Sequence, residues 1–362
     1  MTSDPTITGV RSAELPTHYP RTVGRNARLG SHGDGGTSAI AIIDTDSGQS
    51  GWGLIEQAVS ATMIDDVVGR PLSELIDPNH GVRADRHCWL DAPLHDLLGV
   101  VLDLPVYAIL GGRGSTAVEV YDGAIYFDDL DPESAPRGTE AVLANCRADR
   151  KLGYRDFKIK IGRGNRWRDR DAGDRRDVEI TRLVRDAYPD TRILVDANDG
   201  YDLTGFQRYL DAVADVGLYW VEEPFADDAD DLAQLRDHLN EISPQTLIAE
   251  GETDPDLDEL LPIAAAGHID VLLMDVMSFG ISRWRRTMAE LIKHGVVGSP
   301  HAWGRPLKTV YAAHLAAGLG NIPVVEGVPG STERVDLGSH VFADGILTLS
   351  DRPGFGLSLL AG

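Results

Sequence analysis

From about residue 113 onward, short apolar runs alternate with longer segments of mixed polarity and helical character. Short runs bounded by polar segments are typical of strands that are buried on both faces of a parallel sheet. The pattern predicts eight such strands, at residues 118–121, 157–161, 193–195, 218–221, 247–249, 271–274, 296–298 and 322–325. Eight strands that alternate with helices predict an α/β protein with a TIM-like barrel.

The first third of the chain follows a different pattern. Residues 38–56 predict two strands joined by a turn at residues 45–48. Residues 16–36 contain many Gly, Arg and His residues and few apolar ones, which predicts a mobile loop. From about residue 84 to 109, leucines and valines recur at helical spacing, and Gly111 and Gly112 end that helix.

These patterns divide the chain into three parts. We expect residues 1–112 to form an N-terminal domain and residues 113–340 to form the barrel. Residues 341–362 predict a short strand and a loop, which we expect to return to the N-terminal domain.

Composition narrows the class of protein. Hydrophobic residues make up 42% of the chain, and 57 acidic residues against 34 basic ones give a formal net charge of -23. That charge repels phosphate groups and argues against nucleic acid or an anionic membrane as a partner. The two cysteines, Cys88 and Cys146, fit neither a disulfide framework nor a zinc site. No signal peptide or membrane span is visible, so we expect a cytoplasmic protein.

Charged or ionisable side chains stand at or near the carboxyl ends of seven predicted strands. They are Lys158, Lys160, Asp196, Glu222, Glu252, Asp275, His301 and Glu326. The carboxyl ends of barrel strands meet at one mouth, where barrel active sites lie. The sequence therefore predicts that these side chains converge, although they are far apart along the chain.

The residue types suit a charged site. Lys158 and Lys160 share one face of their strand, and two buried lysines need negative charge nearby. Carboxylates such as Asp196, which shares a face with Asn198, supply the oxygen ligands that Mg²⁺ prefers. An Asp beside a His fixes its tautomer and raises its basicity, as Asp275 would do for His301.

The motif series Lys158-x-Lys160, Asp196-x-Asn198, Glu222-Glu-Pro224, Gly251-Glu252, Asp275 and His301 resembles the enolase superfamily, in particular its mandelate racemase-like group. The segments at residues 94–99, 104–107 and 110–112 resemble that group's connection into the barrel. The resemblance implies a (β/α)7β barrel under an α+β capping domain, which the N-terminal region and the C-terminal tail would form. It also implies a homo-oligomer with one Mg²⁺ per subunit.

The resemblance implies a role for each site residue. Asp196, Glu222 and Glu252 would bind Mg²⁺. Lys160 and the His301–Asp275 pair would be bases on opposite faces of the substrate. Lys158 would help to neutralise the substrate carboxylate, and Glu326 would hydrogen-bond to it.

Two ligand choices stay open at this point. The fifth strand ends Ala249-Glu250-Gly251-Glu252, and Glu250 and Glu252 point the same way in an extended strand, so either could be the ligand. Motif position favours Glu252. Glu223 could likewise replace Glu222, although it follows the alternation of its strand less well.

Three functions are compatible with this site. The resemblance implies abstraction of the proton next to a carboxylate, followed either by loss of water from a sugar acid or by racemisation or epimerisation. A non-catalytic relative is the third candidate. Dehydratases are the commoner kind in the group, which favours the first. We expect Asn198 and, from the loop at 16–36, Arg25 and His32 to contact a hydroxylated anion. The Arg- and Asp-rich residues 163–177 could reach the mouth, but we interpret them as a charged surface or a subunit contact.

Overall fold

The computed structural model describes residues 4–130, 137–252 and 255–360. The N-terminal part contains a three-stranded antiparallel sheet, a two-stranded one and four helices. Its strands are β1 (Ile7–Val23), β2 (Gly33–Thr45), β3 (Ser50–Leu54), β4 (Ile76–Asp77) and β5 (Gly81–Val82). Its helices are α1 (Ala61–Asp65), α2 (Leu72–Leu75), α3 (Asp91–Leu102) and α4 (Val106–Ile109). Helix α3 packs its buried leucines against β2 and β3.

Eight parallel strands form the barrel, as the sequence predicted. They are β6 (Ala117–Ile125), β7 (Phe157–Lys160), β8 (Ile193–Asp196), β9 (Trp220–Glu222), β10 (Leu247–Glu250), β11 (Val271–Leu272), β12 (Val297–Gly298) and β13 (Val325–Gly327). Strands β6 to β12 pair in sequence order, and β13 pairs with β6. On the other side, the Gly298 amide donates to the Asn321 carbonyl at 3.0 Å and connects β12 to the segment before β13.

Helices alternate with these strands around the barrel. They are α5 (Thr139–Lys151), α6 (Arg163–Arg166), α7 (Arg170–Ala187), α8 (Leu203–Val213), α9 (Ala229–Ile242), α10 (Leu257–Ala265), α11 (Ile281–His294) and α12 (Pro306–Leu319). The eighth strand begins at Val325 instead of residue 322, because Pro323 has no amide hydrogen for a ladder. Within the described ranges, no helix is both long and apolar enough to span a bilayer.

The predicted mobile loop at residues 16–36 is largely a β-hairpin. Its flanks belong to β1 and β2, which pair Thr17 with Gly36 and His18 with Gly35, so the loop proper is residues 24–32. The flanks contain few large apolar residues, and backbone pairing between β1 and β2 forms them. At Gly35, φ is +144°, and a Cβ would collide with the Thr17 carbonyl, so this crossing requires glycine.

The predicted helix at 84–109 is also interrupted. A 3₁₀ turn at Asp85–Leu90 leads into α3, which ends at Leu102, and α4 starts only at Val106. Asp103 adopts a left-handed φ of 55°, and Pro105 has no amide hydrogen to continue the helix.

The C-terminal segment contacts both parts of the molecule. Strands β16 (Val341–Ala343) and β17 (Ile346–Thr348) form a hairpin, and β17 pairs antiparallel with the first residues of β6. This pairing satisfies backbone groups of β6 that precede its contacts with β7 and β13, and it differs from the expected return of residues 341–362 to the N-terminal domain. Near Gly354 the tail does reach that domain, since the Phe355 amide donates to Asp96 at 2.8 Å. The domain limits themselves stay a prediction.

Three short strands complete the fold. They are β14 (Ser331–Thr332), which pairs with β1, and β15 (Val335–Asp336), which pairs with β18 (Ser358–Leu359).

His314 joins the barrel to the N-terminal part and to the tail. It lies in α12 with 0% exposure, its Nδ1 accepts the Tyr107 amide at 3.2 Å, and its ring contacts those of His340 and Phe355. Burial and the neighbouring His340 lower the pKa of His314 to about 3. The folded protein therefore holds this imidazole neutral, which fits a structural role.

We expect acid to destabilise the fold through this residue. Because the pKa is lower in the folded chain than the ordinary 6.5, the unfolded chain binds more protons as the pH falls below about 6.5. At pH 5 the cost is about 2 kcal/mol. Urea unfolding of the wild type and of His314→Gln at pH 7.5 and pH 5 measures this: the wild type should lose more stability, and equal losses would contradict it.

Candidate active site

Strand register places three of the predicted site residues side by side. Lys160 lies opposite Asp196 in the β7–β8 pair, and Asp196 lies opposite Glu222 in the β8–β9 pair. All three end their strands and face the barrel interior. Below them lies an apolar layer composed of Tyr121, Leu194, Trp220, Ala249, Val271, Leu273 and Val324.

Asp196, Glu222 and Glu252 form an acidic triad. One carboxylate oxygen from each lies within 4.8 Å of the others. Asp196 and Glu222 are buried, and the Glu252 side chain is 16% exposed. Glu252 Oε2 is buried with no hydrogen-bond partner in the described part of the chain. Three converging carboxylates with an unshared oxygen fit a hard divalent cation such as Mg²⁺.

The backbone separates Glu250 from Glu252. Ala249 belongs to the interior layer, so alternation turns Glu250 to the opposite face of β10. Gly251 then has a φ of +95°, which ends the alternation and brings Glu252 into the triad. Burial and the nearby Asp227 raise the pKa of Glu250 well above its ordinary value. The expectation that the side chains of Glu250 and Glu252 point the same way is thus wrong, because the strand ends between the two residues.

The two lysines of β7 neutralise part of this charge. Lys158 Nζ lies 2.7 Å from Glu222 Oε1 and 2.9 Å from Glu326 Oε1, and Lys160 Nζ donates to Asp196. Both lysines are buried, as expected for side chains on one face of a barrel strand. Burial alone would lower the pKa of Lys160, but Asp196 raises it. Burial alone would raise the pKa of Asp196, but Lys160 and Lys158 lower it to about 2.

His301 stands at the other end of the triad. Its Nδ1 lies 2.9 Å from Asp275 Oδ2, and its Nε2 lies 3.2 Å from Glu252 Oε1. Asp275 therefore fixes the tautomer that leaves Nε2 facing the triad. Burial alone would lower the pKa of His301, but Glu252, Glu326 and Asp275 together raise it.

Lys308 also contacts Asp275, and the sequence interpretation did not include it. Its Nζ donates to Asp275 Oδ2 at 2.8 Å from the first turn of α12. The pKa of Asp275 is lowered by His301 and Lys308, against the effect of burial. One signal could have found Lys308: it is the sole Lys, Arg, Asp or Glu in Pro306–Leu319, a helix with mostly apolar residues.

Glu326 closes the ring of charges from β13. Its Oε2 accepts the amides of Ala302 and Trp303 at 2.7 and 2.9 Å, which orients the chain that follows His301. Burial alone would raise the pKa of Glu326, but Lys158 and His301 lower it.

Backbone strain marks the turns beside the triad. Asn198 and Glu223 have φ values of 43° and 41°, which non-glycine residues rarely adopt and which occur preferentially at functional sites. The Asn198 amide hydrogen-bonds Asp196, and its Oδ1 is buried with no hydrogen-bond partner in the described ranges. Burial and Glu252 raise the pKa of Glu223 to about 7. A substrate contact through Asn198 stays a prediction.

The hairpin loop (residues 24–32) brings His32 to the mouth. Its ring lies 4.7 Å from that of Tyr126 and 6.0 Å from that of Trp303, and Tyr126 in turn lies 5.3 Å from Lys160 Nζ. His32 Nδ1–H donates to the Gly24 carbonyl at 2.8 Å. Burial lowers the pKa of His32, so its Nε2 remains an acceptor.

Arg25 has a different environment from His32. Its guanidinium lies 4.8 Å from the centre of the Trp167 ring. Among the described residues no hydrogen bond joins its side chain to the triad, and its contact with substrate stays a prediction.

Comparison with known proteins assigns the family. The profile of the enolase C-terminal domain-like family matches residues 141–361. The chain belongs to this family. The resemblance to the enolase superfamily is thereby confirmed.

Several named enzymes are similar to this protein along most of the chain. D-galactarolactone cycloisomerase of Agrobacterium fabrum is 28% identical over 284 residues, 75% of this chain and 70% of the relative. Arabinonate dehydratase of Saccharolobus solfataricus is 26% identical over 75% of this chain and 69% of the relative. The structure of galacturonate dehydratase from Geobacillus sp., complexed with D-galacturonate and 5-keto-4-deoxy-D-galacturonate, superposes with a TM-score of 0.91 and 32% identity over 99% of this chain and 95% of that one. A variant of that dehydratase was crystallised with Mg, and it superposes with a TM-score of 0.92 and 31% identity over 99% and 93% of the two chains.

Proposed function

We propose that this protein is a Mg²⁺-dependent acid-sugar dehydratase. The observation that carries the proposal is the order of groups around the mouth: Lys160 at one end of the acidic triad and the His301–Asp275 pair at the other. A substrate carboxylate placed between them has a basic group on each side of its α-carbon. The similar dehydratases support loss of water as the outcome.

The acidic triad is proposed to hold Mg²⁺. Asp196, Glu222 and Glu252 offer three oxygen ligands and leave positions for substrate oxygens. When bound, Mg²⁺ supplies positive charge that stabilises the dianion formed when a carboxylate loses its α-proton.

Lys160 and His301 are proposed to move the protons. Lys160 Nζ, in its uncharged form, takes the proton from the carbon next to the carboxylate, and the electrons of the broken C–H bond move onto the carboxylate to give the dianion. These electrons then return to form the double bond between the α- and β-carbons. The bond between the β-carbon and its hydroxyl breaks, and His301 Nε2–H gives the departing hydroxide a proton, which forms water. The remaining enol becomes the 2-keto-3-deoxy acid. Asp275 keeps His301 oriented throughout.

Lys158 and Glu326 are proposed to bind the carboxylate end of the substrate. Both are buried at the triad, and Lys158 Nζ contacts Glu326 Oε1 at 2.9 Å. A lysine so placed offsets negative charge on the substrate. Glu326 would hydrogen-bond to the substrate carboxylate as a donor, in its protonated form. Around them the mouth carries hydrogen-bonding groups, such as His32 Nε2, that suit a hydroxylated chain.

We also propose a homo-oligomer in a reducing compartment, the cytoplasm. The family resemblance supports the oligomer, and the two free cysteines, Cys88 and Cys146, suit a reducing environment.

A panel of aldonates, uronates and sugar diacids, D-galacturonate among them, tests the reaction. With Mg²⁺ present we expect formation of a 2-keto acid from at least one member, no turnover after EDTA, and recovery when Mg²⁺ is restored. Turnover that resists EDTA would overturn the metal assignment.

The same panel in D₂O separates dehydration from the second candidate, racemisation or epimerisation. The two opposed bases favour that candidate too, because one could remove a proton and the other return it. Deuterium at the α-carbon of an epimerised substrate, without any 2-keto acid, would replace the dehydratase by an epimerase.

A further inference from the structure

Three consecutive carbonyls of the hairpin loop accept hydrogen bonds from three consecutive side chains of the barrel. Trp167 Nε1–H donates to the Asn26 carbonyl at 2.6 Å, and Asn165 Nδ2 donates to the Ala27 carbonyl at 3.1 Å. Arg166 donates to the Arg28 carbonyl at 2.5 Å. The donors lie in α6 and the residue after it, within the Arg- and Asp-rich segment at 163–177.

The loop also fits into a socket between two glycines. Ala27 is 0% exposed, and its methyl group faces Gly162 and Gly200. A Cβ on Gly162 would lie 2.8 Å from that methyl carbon, and one on Gly200 would lie 3.0 Å from it. A larger residue in any of the three positions would hold the loop away from the barrel.

Charges complete the contact on the outer side of the loop. Arg28 forms an ion pair with Asp199, which follows the triad residue Asp196 by three positions. The Arg25 guanidinium covers one side of the Trp167 ring. Both arginines of the loop therefore contact side chains of the barrel.

The segment has a rigid base next to Lys160. Arg163 is 0% exposed, and it forms ion pairs with Asp129 and Asp177, each at 2.7 Å. The same guanidinium donates to the Lys160 carbonyl at 3.2 Å. The three donors to the loop are consequently fixed relative to Lys160 and the triad.

We propose that Asn165, Arg166 and Trp167 are positioning residues that hold the hairpin loop closed over the mouth and so present His32 to the substrate. The effect on substrate rests on the proposed function; the closure of the loop does not. Loss of these donors would let the loop open, and His32 would be lost as an acceptor for a substrate hydroxyl in a fraction of the molecules.

Limited trypsin digestion tests the closure without any assay of activity. The double variant Asn165→Ala/Trp167→Phe removes two donors and keeps an aromatic ring; Arg168→Gln, in the same segment, is the matched control. We expect cleavage after Arg28, whose side chain is exposed, to be about 10-fold faster in the double variant than in the control and the wild type. Equal rates of cleavage would overturn the proposal.

Steady-state kinetics on the sugar acid found in the panel tests the positioning of His32. We expect KM to rise about 10-fold in the double variant. Because the bases stay in place, kcat should remain within threefold of wild type. The urea midpoint should be the same as that of the wild type. Faster cleavage with an unchanged KM would overturn the role in substrate binding. If no sugar acid is turned over, the digestion still decides whether the segment holds the loop, so the two proposals fail separately.

Discussion

Replacing His301 with Asn is expected to lower the rate of dehydration by about 10²- to 10⁴-fold. Asn has nearly the shape of the imidazole portion that meets Asp275, but it cannot give a proton to a departing hydroxide. In the proposed mechanism Lys160 takes the α-proton independently, because it lies at the other end of the triad from His301. Exchange of the α-proton with solvent should therefore continue in the variant after water loss has stopped.

The two rates are measured separately on one sample. Release of 2-keto acid reports dehydration, and NMR in D₂O reports the exchange of the α-proton. His294→Asn is the matched control, since His294 ends α11 just before β12 begins, at the opposite end of the barrel from the mouth, and contacts Glu290. An undiminished rate of dehydration in His301→Asn would rule out His301 as the acid, and loss of both rates would point to His301 as the base.

Replacing Glu252 with Gln should weaken Mg²⁺ binding at least 100-fold, whereas Glu250→Gln should change it less than 10-fold. Glu252 contributes an oxygen to the triad, and the amide of Gln removes one of three negative charges from a site with little solvent. Glu250 precedes Glu252 by only two residues, but its side chain lies on the other face of β10, beside Asp227. The pair is a matched comparison of the same substitution two residues apart.

Isothermal titration of the purified variants with MgCl₂ gives both affinities, and urea unfolding verifies that each variant is folded. The reverse ranking would identify Glu250 as the third ligand. It would falsify the conclusion that the turn at Gly251 brings Glu252 into the triad. Similar affinities for both variants would remove Glu252 from the metal site.

The barrel and the convergence of its charges could be predicted from the sequence because both depend on local patterns. Apolar runs of strand length between amphipathic segments specify a parallel sheet, and parallel strands bring their carboxyl ends to one side. Lys158 and Lys160 share a face simply because successive side chains alternate in a strand. The eight charged residues predicted at the strand ends accordingly lie together at the mouth, several in direct contact.

Other features depend on tertiary contacts. The hairpin flanks beside the loop are polar, so no apolar alternation marked them as strands, and only pairing across the hairpin forms them. The partner of Asp275, Lys308, comes from a helix one unit further along the chain, at no spacing that a motif records.

Two further outcomes needed the folded chain. The left-handed φ of Gly251, and not strand alternation, decides between Glu250 and Glu252. Residues 163–177 carry charge that composition assigned to a surface, yet Arg163 is buried and its neighbours bind the hairpin loop. The sequence by itself determined the fold class, the family and the ring of charged residues, because these follow from periodicity and order along the strands. The tertiary structure alone decided which carboxylate joins the triad, what orients the His301–Asp275 pair and what holds the loop, because each depends on contacts between segments whose separation along the chain has no fixed period.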